Sequence, residues 1–83
     1  MASDDMLWLG YSGLSVEYGA VSALLLYQPT WDRRIIQSYG TVPAGIRCVV
    51  LLDDGRVLPA QRPIEDLRRQ LSAWQNEHTS SDH

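Results

Sequence analysis

The stretch CVVLLDDGRVLPAQRPIEDLRRQLSAW, Cys48 to Trp74, constrains this chain more than any other. Val49 to Leu52 is an uninterrupted apolar run, the signature of a buried strand. Asp54-Gly55 follows it, a dipeptide suited to a tight hairpin turn. A two-residue type I′ turn there predicts that Asp53 faces Arg56, Leu52 faces Val57 and Leu51 faces Leu58. Pro59 cannot donate to a ladder, so the second strand is expected at a sheet edge. Pro63 suits the start of a helix. Glu65 and Asp66 then sit where the helix dipole favours negative charge. Ile64, Leu67, Leu71 and Trp74 recur at three- and four-residue steps, forming one apolar stripe. The segment reads as strand, turn, strand, helix.

The rest of the chain is less sharply marked. Met6–Tyr11 is short, apolar and aromatic, and reads as a strand stopped at Ser12-Gly13. Leu14–Gln28 fits both periods: Leu14, Val16 and Tyr18 alternate as in a strand, whereas Leu14, Tyr18, Val21 and Leu25 share a helical face. Gly19 costs a helix about 1 kcal/mol relative to Ala, which favours the strand. Trp31–Tyr39, WDRRIIQSY, carries two isoleucines and two aromatics and is expected as a strand. Gly40 to Gly45 is a loop around Pro43.

The expectation is therefore an α+β domain: a small antiparallel sheet of four or five strands, over 6–11, 15–27 (strand or helix), 32–39, 46–52 and 56–61. A C-terminal helix over 63–77 covers one face. An 83-residue chain allows one small domain, here 1–78, with 79–83 as a polar disordered tail. No repeat or interior linker divides it.

Cys48 is the single cysteine, so no internal disulfide forms and the core stands on packing alone. The opening MASDDMLWLG has Asp4 and Asp5 where a secretory peptide carries positive charge. The longest apolar run, Ala20–Tyr27, is far below the ~20 residues of a membrane-spanning helix. These features predict a cytoplasmic protein with a reduced thiol and no membrane association. All seven basic residues are Arg, with no Lys and no Phe. That bias suggests a GC-rich bacterial or phage gene, which the nucleotide sequence would test.

Catalysis and metal binding find no residue set. The two histidines, His78 and His83, lie past the expected helix end at 77, and a metal site needs several converging ligands. No Ser or Cys has a base nearby in sequence, and Cys48 sits inside an apolar strand. The six glycines are scattered and form no phosphate loop. Asp53-Asp54-Gly55 lacks the later acidic ligands of a calcium loop. No catalytic, metal or cofactor residue is assigned, and the chain is not expected to be an enzyme.

The remaining signal is for protein contacts. In a strand, Trp31, Arg33 and Tyr39 would share one face, and Trp, Tyr and Arg dominate interface hot spots. In the hairpin register above, Arg47 falls near Arg62. These five residues are the partner-binding candidates. The function expected is a small acidic protein-binding regulator, adaptor or inhibitor, with another protein as partner. Homo-oligomer formation through a sheet edge is also expected, because a small sheet has edges to protect. A nucleic-acid-binding regulator using an Arg-rich sheet edge is the first alternative. The formal charge of −3 argues against it, and Asp32, Asp53, Glu65 and Asp66 lie close enough in sequence to pair with the arginines. The second alternative is a structural subunit of a larger assembly.

Overall fold

The computed structural model describes residues 6–11 and 13–79. The chain forms β1 (Met6–Trp8), β2 (Ser15–Glu17), a 3-10 turn (Tyr18–Ala20), β3 (Val21–Leu26), a second 3-10 turn (Pro29–Trp31), α1 (Asp32–Tyr39), β4 (Cys48–Leu52), β5 (Val57–Ala60) and α2 (Ile64–Thr79). The architecture is α+β, as the sequence implies, with two antiparallel sheets. β1 and β2 pair as a hairpin, and β3, β4 and β5 form a sheet with β4 in the middle. The ambiguous 15–27 segment resolves as sheet, but in two strands joined by a 3-10 turn. Of the tail, Thr79 closes α2 and residues 80–83 lie outside the described residues.

β4 explains the apolar run. Its odd residue Val49 packs with Ile35 and Val57 on the side covered by α1. Its even residues Cys48, Val50 and Leu52 pack with Leu7, Leu9, Val16 and Leu67 on the side covered by α2 and the β1–β2 hairpin. A strand buried on both faces cannot alternate with polar residues. Each fully buried Val, Leu or Ile here contributes about 1.5–3 kcal/mol. α2 docks through the expected stripe: Leu67 is fully buried, and Ile64, Leu71 and Trp74 are half-buried. Its far end is held by Trp74 stacked on Tyr18, with ring centroids 5.6 Å apart. Pro63 lies just outside the helix, its carbonyl accepting from the Asp66 and Leu67 amides.

Two expectations are overturned. The segment over 32–39 is a helix, not a strand. Period 3.6 gathers Trp31, Ile35, Ser38 and Tyr39 against the sheet, whereas Arg33, Arg34, Ile36 and Gln37 are exposed. Strand alternation would have pulled Arg33 and Gln37 inward with Trp31. Gly40 stops the helix at φ 105°, a left-handed cap, and its amide donates to Ile36 O at 2.9 Å. The helix also satisfies the sheet: Val57 N–H donates to Ser38 Oγ at 3.0 Å, and Arg34 Nη2 donates to Gly55 O at 3.1 Å. These long-range bonds outweigh a β propensity that is weak on its own.

The second correction is the hairpin register. Leu51 faces Val57 and Val50 faces Leu58, one residue off the expected pairing. No non-glycine residue among those described has positive φ, so Asp54 cannot sit in a type I′ turn. Instead Gly55 N–H donates to Leu52 O at 3.0 Å, Gly55 has φ 93°, and Leu52 N–H donates to Arg56 O at 2.9 Å. That is a three-residue loop with Gly55 in the left-handed position of a bulge. Asp53 therefore does not face Arg56; Asp54 pairs with it, at 2.8 Å.

Candidate protein-docking groove

Trp8 ends β1 with its side chain turned away from the core. Leu7 and Leu9 are fully buried, so alternation sends Trp8 outward, where it is 51% exposed. Its indole Nε1 donates to Tyr11 O at 3.1 Å. Tyr11 Oη in turn donates to Ala44 O at 2.9 Å, which ties the hairpin loop to the loop before β4. Burial, and then the nearby Tyr39 and Cys48, push the Tyr11 phenol above its ordinary pKa.

Arg62 lies against this rim. Its Nη1 donates to Trp8 O at 3.1 Å and to Gln70 Oε1 at 3.0 Å. The guanidinium carbon stands 5.9 Å from the centre of a Trp8 ring, within cation–π range. Backbone bonds hold the neighbourhood: Gln61 N–H donates to Leu9 O at 2.8 Å and Arg47 N–H to Ala60 O at 2.9 Å. Between these groups runs a shallow groove of about 650 Å³, lined by Trp8, Gly10, Gly45 to Arg47, and Gln61 to Pro63. Among the described residues, no carboxylate, histidine, serine or cysteine lines it.

Three described carboxylates have their partners away from this groove. Asp54 is taken by Arg56, whose backbone amide and then guanidinium hold its carboxyl below the usual range. Asp66 lies 3.6 Å from Arg69, and Asp32 accepts a hydrogen bond from Tyr27. Among the described residues, Arg47 and Arg62 have no carboxylate partner. Among the described residues, no ion pair balances these two arginines.

The sequence candidates divide accordingly. Arg47 and Arg62 meet in the groove. Trp31, Arg33 and Tyr39 belong to the α1 side and do not share a face: Trp31 and Tyr39 are half-buried against the sheet and Arg33 is exposed. Arg34, not Arg33, stacks on Trp31, at 5.7 Å. Trp8 and Gln70 were missed. The alternation Leu7–Trp8–Leu9 is the signal that marks Trp8, whereas nothing local links Gln70 to Arg62.

A second surface lies along β3, whose only neighbour among the described strands is β4. The Tyr27 amide donates to Arg47 O. In an antiparallel pair, alternate residues turn their backbone groups outward, here Leu24 and Leu26. Leu26 is 63% exposed, and a cleft of about 490 Å³ runs beside it to Trp31, Ile64 and Arg68. The outer side of β5 differs, since Ser38 and Leu9 take its bonds at Val57 and Gln61.

Among the described residues, no group of three His, Cys, Asp or Glu could hold a metal ion, and no helix is long and apolar enough to cross a membrane. In comparisons with protein-family models, curated protein sequences and solved structures, nothing matched the chain.

Proposed function

We propose that the protein is a small non-catalytic binding module, a regulator, adaptor or inhibitor, that docks another protein at the Trp8–Arg47–Arg62 groove. One observation carries this reading: an exposed tryptophan and two arginines, without carboxylate partners among the described residues, border one concave surface. Trp and Arg are the residue types that concentrate binding energy at interfaces. The test is capture from the native host with the wild-type chain and with an Arg47→Gln/Arg62→Lys variant. A partner retained equally by both removes the groove from the reading.

Self-association is a second reading, favoured by the outward backbone groups of Leu24 and Leu26 on a strand without charge or proline. Two copies would pair β3 with β3 about a two-fold axis. Light scattering across a concentration series decides it: a dimer that Leu26→Lys dissociates supports it, and a monomer throughout rejects it. The site of action on this reading is the cytoplasm, where a lone thiol stays reduced; cell fractionation tests that.

A further inference from the structure

We propose that Arg62 is a preorganised receptor for a carboxylate of an acidic peptide segment on the partner, with Arg47 as the second cation and Trp8 as the apolar wall. This deepens the docking reading and rests on it. A guanidinium has five N–H donors. Both Arg62 bonds among the described residues leave from Nη1, to Trp8 O and to Gln70 Oε1. Nε and Nη2 remain, and that edge of the fork can grip a carboxylate through two parallel bonds. The orientation is set in advance by two hydrogen bonds and the Trp8 ring. A ligand therefore bears little of the cost of ordering this side chain. Arg47 is exposed in the same groove. It adds attraction for a second acidic group along the segment. Trp8, half out of water, offers its free surface to an apolar residue between them.

Charge complementarity selects the occupant. Among the described residues, the groove is lined by two arginines and by no carboxylate, on a chain whose formal net charge is −3. A nucleic acid draws affinity from many phosphate contacts along its backbone, and two arginines on an acidic protein supply few. A short acidic peptide needs only the two.

The full chain, labelled with 15N, is titrated with four probes and followed at the Trp8 indole and arginine Nε–H signals. The first is a blocked peptide, acetyl-Glu-Asp-Glu-Leu-amide. The second is its Gln/Asn counterpart, the third an uncharged peptide with a free C-terminal carboxylate, and the fourth an oligothymidylate. The acidic peptide is expected to shift Trp8 and Arg62 together and to bind at least about tenfold more tightly than its Gln/Asn counterpart. Arg62→Lys, which keeps the charge and loses the fork, is expected to weaken it at least about fivefold, and Arg47→Gln by less. Raising salt from about 50 to about 500 mM weakens it further. Tighter binding of the third probe than the first would overturn the acidic segment as occupant, because a lone chain terminus offers nothing to Arg47. Equal binding of the Gln/Asn peptide, indifference to Arg62→Lys, tighter binding of the oligothymidylate, or no binding of any probe overturns it. None of those results touches the capture experiment, which judges the docking reading separately.

Discussion

Leu51 lies opposite Val57, and this pairing makes Gly55 the indispensable residue of the hairpin, not Asp54. Gly55 has φ 93° with no atom within 4 Å of where a Cβ would stand. A side chain there meets no clash, only the strain of the left-handed region. Gly55→Ala is expected to destabilise the fold by about 1–2 kcal/mol, and Gly55→Asn by less. Asp54→Gly gains nothing from positive φ, since Asp54 does not use it. Urea unfolding of the three variants checks the order; a neutral Gly55→Ala would refute the bulged loop.

The helical assignment of 32–39 makes neighbouring isoleucines unequal. Ile35 is fully buried against Val49 and Val57, whereas Ile36 is 50% exposed. Ile35→Ala is expected to cost about 2–5 kcal/mol through lost burial and the cavity left behind. Ile36→Ala should stay within about 1 kcal/mol. Denaturant midpoints at matched slopes measure both, and similar losses at the two positions would count against α1.

The elements that could be read from the sequence are those whose rules are local. α2 announced itself through Pro63, Glu65, Asp66 and a four-residue stripe. β4 did so through an apolar run that only a doubly covered strand carries. α1 did not, because nine residues with Trp31, Ile35 and Tyr39 satisfy a strand pattern as well as a helical one. The choice is made by Ser38 and Arg34, which bond to Val57 and Gly55 across 19 and 21 positions. The hairpin register failed for a related reason. Asp-Gly suits two turn types that differ in the φ of Asp54, and that angle depends on how β4 and β5 settle on the layers around them. At the groove, Arg47 and Arg62 were legible as a pair. The Trp8 carbonyl that holds Arg62 lies 54 positions away, beyond the reach of any local rule.

Tyr27 donates its phenol hydrogen to Asp32 Oδ1, linking the end of β3 to the first turn of α1. That bond, then burial, then the negative charge of Asp32 push the Tyr27 phenol above its ordinary value near 10. Ionising the phenol removes the donor and brings two negative charges together. Ultraviolet titration should therefore show one tyrosine that resists ionisation and relaxes in Asp32→Asn. Its stabilising contribution is present below pH 10 and is lost as pH rises through the raised folded-state value. An unchanged titration in Asp32→Asn would rule this out.

Cys48 gives the last test, and it reads the core itself. Its side chain is fully buried, with Sγ 3.4 Å from Arg62 O, and burial raises its pKa from 9.0 to about 11. The folded state therefore holds the thiol proton more tightly than the unfolded chain. Stability from this group is complete below pH 9, where both states are protonated. It falls as pH climbs, because the unfolded chain releases its proton first, and it is lost through pH 11. At about 1.4 kcal/mol per pH unit, the loss is roughly 1 kcal/mol by pH 10. Cys48→Ala should be less stable than wild type at pH 7, because it removes packed volume, yet show a shallower decline between pH 9 and 10.5. Thiol reagents at pH 7 should label the native chain only as fast as it opens and the unfolded chain at once. Rapid labelling of the folded protein, or parallel pH profiles for wild type and Cys48→Ala, would show that the thiol is not in the core.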